Sequence, residues 1–146
     1  MVINKDFREF IELLNKHGVK YLVVGGYAVA FHGHPRYTKD LDVWVWLEEQ
    51  NAEKIIDVLK DFGFASLQFN KEDFLNPDNV IQLGQPPNRI DLLTGLSGVD
   101  FKECYDKKNV ITINDLEVNI IDLDSLRRNK KASGRFQDLA DLENLS

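Results

Sequence analysis

Two aspartates, two residues apart, open an apolar run: Asp40-Leu41-Asp42, then Val43-Trp44-Val45-Trp46-Leu47. The run is rich in β-branched and aromatic residues and reads as a strand. In a strand, residues i and i+2 point to the same face, with Cα atoms about 6.5–7 Å apart. Two carboxylates so placed repel by roughly 3 kcal/mol at about 6 Å and an effective dielectric near 20. A divalent cation turns that cost into a site. The pair reads as half of a metal-binding centre, and the rest of the chain has to supply what the metal acts on.

The 146 residues suit one domain with one core, taken as residues 1–146. A net charge of −6 argues against a broadly basic nucleic-acid coat or a membrane-surface binder. The single cysteine, Cys104, excludes an internal disulfide and cannot alone make a zinc site, which points to a reducing compartment. The first residues carry no apolar signal-peptide core, and no apolar run is long enough to span a bilayer. A cytoplasmic protein without a membrane partner is expected.

Hydrophobic spacing predicts an amphipathic helix over 4–17, with Asn4 as cap, Phe7, Phe10, Ile11 and Leu14 on one face and Gly18 after it. A strand follows over 19–24, broken by Gly25-Gly26, then a short helix from Tyr27 to His32 ended by Gly33-His34-Pro35. After the strand 41–47, residues 51–62 return to helix. Phe64, Leu67, Phe69 and Phe74 are buried candidates, and 76–79 is a turn. Strands are expected at 80–83 and 89–93, a hairpin at 110–113 and 117–121, and a helical tail over 124–145 in two pieces joined near Ser133-Gly134. Early alternation of strands and helices followed by a hairpin predicts an α/β (α+β) fold: a mixed β-sheet flanked by helices.

Three further pieces bear on the aspartate pair. Gly25-Gly26 allows close backbone approach, and a following helix would offer free N–H groups and a positive dipole end to a phosphate; a tight turn that needs glycine is the alternative. Asp91 lies inside the short apolar strand Ile90-Asp91-Leu92-Leu93, either at a solvated end or in a cleft. Beside the strand 41–47 it would complete three carboxylates, hard donors that suit Mg²⁺ or Mn²⁺ rather than Zn²⁺. Finally, Arg127, Arg128, Lys130, Lys131 and Arg135 bring five of the chain's 18 basic residues into one short stretch, suited to phosphate or to a solvated helix face. His17, His32 and His34 lack ligand spacing, Trp44 and Trp46 read as packing under a helix, and Cys104 as structural.

In order and spacing, Val24-Gly25-Gly26, Asp40-Leu41-Asp42-Val43 and Ile90-Asp91-Leu92 resemble the nucleotidyltransferase superfamily with the DNA polymerase β-like palm. Arg36-Tyr37-Thr38-Lys39 before the pair, and Lys131-Ala132, Arg135 and Asp138-Leu139-Ala140-Asp141-Leu142 in the tail, are similar to a branch that includes abortive-infection-type toxins and small bacterial relatives. The resemblance implies a palm-like fold and transfer of a nucleoside monophosphate from an NTP to a hydroxyl, with Mg²⁺ (or Mn²⁺). It implies that Asp40, Asp42 and Asp91 are catalytic and hold metal, with Asp91 also helping to deprotonate the acceptor. Gly25 and Gly26 would lie against the β- and γ-phosphates, and Lys131 and Arg135 would reach phosphates or acceptor. Many members carry Ser where Gly26 stands, and Tyr27 beside it is bulky. The acceptor stays open among RNA, protein and small molecule. With no sizeable acceptor-binding domain, a site completed by dimerisation or by a small partner protein is expected. The rivals are an inactive binding protein or toxin–antitoxin component that keeps the fold, and a phosphohydrolase using the same carboxylates.

Overall fold

The computed structural model describes residues 3–34, 40–63, 69–85 and 87–145. Arg36-Tyr37-Thr38-Lys39, Phe64 and Leu67 lie outside the described residues. The chain runs α1 (Lys5–Lys16), β1 (Tyr21–Val24), α2 (Gly25–Phe31), β2 (Leu41–Val45), α3 (Glu49–Phe62), a 3-10 turn (Lys71–Phe74), β3 (Val80–Leu83), β4 (Ile90–Leu93), α4 (Phe101–Asp106), β5 (Asn109–Ile113), β6 (Leu116–Ile120), α5 (Leu123–Ser133) and α6 (Phe136–Leu145). This is a mixed six-stranded sheet with helices, an α+β fold. The strand order is β3-β4-β2-β1-β6-β5, with β1–β6 and β2–β4 parallel and the other pairs antiparallel. Among the described residues no helix is long and apolar enough to cross a membrane.

Local chemistry explains the element ends. Asn4 caps α1 by accepting from the Phe7 N–H, and Phe7, Phe10, Ile11 and Leu14 form its buried stripe. Gly63 and Gly134 end α3 and α5 in the left-handed conformation. Asn114 and Asp115 take positive φ in the two-residue β5–β6 turn, the backbone that a tight hairpin asks for.

The strand period of two sorts side chains onto two faces. Tyr21, Val23, Leu41, Val43, Val45, Ile90 and Leu92 share one face and are all at most 1 % exposed. Tyr21 reaches α1 there, its hydroxyl donating to Asn15 Oδ1 at 2.9 Å. The opposite face carries a cross-strand row, Gln82–Asp91–Asp42–Val24, and beside it Val80–Leu93–Trp44–Leu22. The first row is polar in its middle and the second apolar. The first predicts a chemical site and the second a packing surface, and α4 covers part of the second: Phe101 meets Trp44 edge-on, ring centroids 5.0 Å apart.

Candidate active site

The parallel register of β2 and β4 sets Asp42 directly opposite Asp91. Neighbouring strands lie about 4.8 Å apart, so the two carboxylates leave the sheet side by side. Asp40 precedes β2 by one residue. All three line one cleft of about 490 Å³, together with Gly25, Lys130 and Arg135.

Gly25 takes φ 65°, and a Cβ built on it would overlap the Asp42 carboxylate. Glycine is thus required twice, for the backbone angle and for the space. Helix α2 begins at Gly25 itself rather than after the glycine pair, and spans only seven residues. Its dipole adds little, so what Gly25 offers is close approach of backbone. Gly26 is buried in the first turn and is not on the cleft wall. Gly25→Ala is expected to destabilise the protein by about 2 kcal/mol or more, from left-handed strain plus displacement of Asp42. Urea unfolding measures it, and a loss below about 0.5 kcal/mol would contradict the packing described.

Crowding shows in the acid chemistry. Burial, then the negative charges of Asp91 and Asp40, push Asp42 up to about 6, against a partial opposing pull from Lys130 and Arg135. Burial also raises Asp91, offset in part by Arg89.

Arg89 is a site residue that the sequence reading passed over. Its Nη2 donates to Asp40 Oδ2 at 2.7 Å, and its Nε and Nη2 donate to the two oxygens of Asp91 at 3.0 and 3.2 Å. One guanidinium therefore bridges two of the three carboxylates, a planar fork meeting planar acceptors. The signal available was its position two residues before Asp91, on the same face of an extended strand.

The donor set is three hard carboxylate groups with surplus negative charge at Asp42, which is the chemistry of a Mg²⁺ or Mn²⁺ site. As the side chains stand, no three acidic, His or Cys groups among the described residues are arranged to hold a metal ion. Arg89 bonds Asp40 and Asp91 instead. A cation held by Asp40, Asp42 and Asp91 would take over the charge neutralisation that Arg89 now supplies.

The basic side of the cleft comes from the tail. Lys130, 4 % exposed, donates from Nζ to Asp138 Oδ1 at 3.0 Å and lies 3.1 Å from Asp141 Oδ2. Arg135 Nε donates to Asp138 Oδ2 at 2.7 Å, as does Ser133 Oγ at 2.6 Å. Burial alone would raise Asp138, but the bonds from Arg135, Ser133 and Lys130 together hold it well below the usual carboxylate range. Two buried carboxylates thus fix Lys130 at the cleft, and Asp138 also holds the exposed Arg135. Lys131 is exposed and off the cleft wall, and the cation placed there is its neighbour Lys130.

Sequence and structure comparisons give this geometry its context. Residues 6–80 match the family model described as aminoglycoside-2''-adenylyltransferase, a stretch that includes Gly25, Asp40 and Asp42 and ends before Asp91. No curated protein sequence is significantly similar. Solved structures share the fold at 15 % identity. A Thermotoga maritima protein provisionally named a nucleotidyltransferase matches over 94 % of this chain and 88 % of its own, with TM-score 0.63. An antigenic nucleotidyltransferase-like protein from Paracoccidioides brasiliensis matches over 98 % and 77 %, with TM-score 0.57. The lincosamide antibiotic adenylyltransferase LnuA, with lincomycin bound, matches over 99 % and 96 %, with TM-score 0.58. The family match across more than half of the sequence, on a nucleotidyltransferase fold, means that this chain belongs to the aminoglycoside-2''-adenylyltransferase family and is a nucleotidyltransferase.

Proposed function

We propose that the protein, acting as one domain over residues 1–146, transfers adenylate from ATP, with Mg²⁺ or Mn²⁺, to a hydroxyl of an amine-bearing small molecule such as an aminoglycoside. The observation that carries this reading is Asp42 opposite Asp91, with the Gly25 backbone against Asp42, in one cleft with Lys130 and Arg135. The acceptor class follows the name of the matched family. A strongly acidic chain also suits a cationic acceptor better than a nucleic acid.

Asp40, Asp42 and Asp91 would hold a divalent cation, which would supply charge stabilisation at the phosphate and lower the cost of ionising a nucleophile. The protein's own residues do the rest. Gly25 lets the triphosphate approach the backbone. Lys130 and Arg135, preset by Asp138, face the developing negative charge without reorganising, which is where electrostatic catalysis gains most. Asp91 accepts the proton of the attacking hydroxyl as the hydroxyl oxygen bonds to the α-phosphorus and pyrophosphate leaves, and its raised affinity for protons suits that task. Arg89, freed from Asp40, can turn its fork to a phosphate oxygen. The buried free thiol of Cys104 fits a reducing cytoplasm, where ATP is available.

A second reading has its own support. The Arg89 fork already neutralises Asp40 and Asp91, which is what a domain would show that binds a partner, as in a toxin–antitoxin pair, and no longer transfers. ATP labelled at the α-phosphate, incubated with Mg²⁺ and kanamycin, separates the possibilities. Label on kanamycin is the expected result. Label released as free AMP would indicate hydrolysis, and label left in ATP the inactive binding domain.

A further inference from the structure

Arg89 reaches the carboxylates from a fixed point. Its carbonyl accepts from the N–H of Leu41, the residue between Asp40 and Asp42, at 3.1 Å, where β2 and β4 begin to pair. The main chain is tied there, and what can move is the side chain. That side chain is 28 % exposed, so it can swing within the cleft without unpacking the core.

The fork takes both oxygens of Asp91 and, through Nη2, one oxygen of Asp40 as well. Nη2 therefore sits between Asp40 Oδ2 and Asp91 Oδ2, 2.7 Å from the first and 3.2 Å from the second. A cation shared by the same two carboxylates would sit in that gap too, about 2.1 Å from each oxygen in the case of Mg²⁺. Two positive charges cannot share it. The other basic side chains lining the cleft among the described residues are held elsewhere. Lys130 is bonded to Asp138 and paired with Asp141, and Arg135 is bonded to Asp138. Arg89 is the one that bonds the carboxylates beside Gly25.

We propose that Arg89 is a displaceable latch: its guanidinium holds Asp40 and Asp91 as a counter-ion until a divalent cation takes its place. The inference rests on the reading of Asp40, Asp42 and Asp91 as a cation site, and deepens it by naming what controls entry. Without the fork the carboxylates would repel one another and splay. With it, Asp40 and Asp91 stay near the arrangement that a shared cation needs. The same bonds make the cation compete. A cation arriving alone has to strand a guanidinium beside it, like charge against like. A cation arriving with a polyphosphate does not, since the released fork meets phosphate oxygens, its planar bidentate match. The latch thus couples metal entry to nucleotide entry and holds bare metal off the cleft.

Calorimetric titration of Mn²⁺ into the intact metal-free protein, without nucleotide, tests the latch. Arg89→Met keeps much of the side-chain length and removes the fork. It is expected to bind Mn²⁺ about tenfold or more tightly than the wild type, an ordinary size for coupling between two ligands, while its melting temperature in EDTA falls. Arg89→Lys keeps the charge but not the fork, and is expected to lie between the two. These opposed signs separate a latch from a brace: a residue that merely shapes the cleft would lose both stability and Mn²⁺ affinity on replacement. Adding Asp40→Asn to Arg89→Met is expected to remove the gain, and a gain that persists would place the ion elsewhere and overturn the proposal. Folded Arg89→Met that binds Mn²⁺ no more tightly than the wild type would overturn the latch and leave the metal site standing. Absence of Mn²⁺ binding in the wild type and in both variants would overturn the latch together with the cation reading of the three carboxylates. Should Arg89→Met fail to fold, Arg89→Lys decides by the same comparison.

Discussion

Asp42→Asn is expected to reduce adenylate transfer a thousandfold or more, and to raise the melting temperature of the metal-free protein by about 3–6 °C. The first effect would follow from losing a charged ligand of the proposed cation at the centre of the carboxylate group, where metal and oriented donors would supply several kcal/mol of transition-state stabilisation. The second follows from the crowding of Asp42 by burial, Asp91 and Asp40. Its proton affinity in the folded protein, about 6, lies above the ordinary carboxylate value of 3.8. A group whose value is raised by folding keeps its full contribution below its unfolded value and loses it as pH rises through the folded one. Two units amount to at most about 3 kcal/mol, and partial solvation reduces this to about 1–2 kcal/mol. With EDTA present, wild-type stability should therefore fall between about pH 4 and pH 6 relative to Asp42→Asn. Asp138 works the other way: its stabilising contribution is present above the ordinary carboxylate range and is lost as acid protonates it. Equal melting temperatures for wild type and Asp42→Asn across this range would contradict the crowded arrangement.

Lys130→Met is expected to cost about 2–4 kcal/mol of stability at pH 7, a fall in melting temperature of roughly 6–12 °C. Lys130 is paired with Asp138, 2 % exposed, and Asp141, fully buried. Removing the ammonium leaves buried negative charge, the costly half of a broken pair. The loss stays at the lower end because Arg135 and Ser133 still hold Asp138 and Gln137 still donates to Asp141. Acid should relieve the variant: without the cation, Asp138 takes up a proton more readily, so the deficit against wild type shrinks as pH falls. Lys131→Met, at an exposed position, should stay within about 0.5 kcal/mol of wild type. Urea titrations of the two variants, at pH 7 and pH 5, make the comparison. A Lys131→Met loss equal to that of Lys130→Met would refute the assigned contacts.

The contrast between these neighbouring lysines shows how far the sequence could be read. Strongly periodic segments were legible. The helix expected over 4–17 is α1, the strand over 19–24 contains β1, and the hairpin expected at 110–113 and 117–121 is β5–β6. The tail breaks into two helices at Gly134, as the Ser133-Gly134 pair suggested. Each depends on local hydrophobic spacing, caps and turn residues, all carried by adjacent positions. Helix α4 was not legible. It is one and a half turns long, and it exists because Asp100 caps it and Phe101 packs on Trp44, a contact across the sheet. The placement of Asp42 against Asp91 likewise depends on a parallel register that no local pattern encodes. The choice of Lys130 over Lys131 depends on which face of α5 meets α6, and the adjacent pairs Arg127-Arg128 and Lys130-Lys131 leave that undetermined. Arg89 escaped notice because its importance lies in what faces it, not in what flanks it.

Calorimetric titration of ATP in the presence and absence of Mg²⁺, on wild type and on the double replacement Asp40→Asn/Asp42→Asn, tests the central claim most directly. The claim is that Asp40, Asp42 and Asp91 form a metal-dependent nucleotide site beside Gly25. The expected result is Mg²⁺-dependent ATP binding by the wild type that weakens at least a hundredfold in the double variant, with folding retained by circular dichroism. Binding by the wild type that is indifferent to Mg²⁺, or equal binding by the folded double variant, would contradict it.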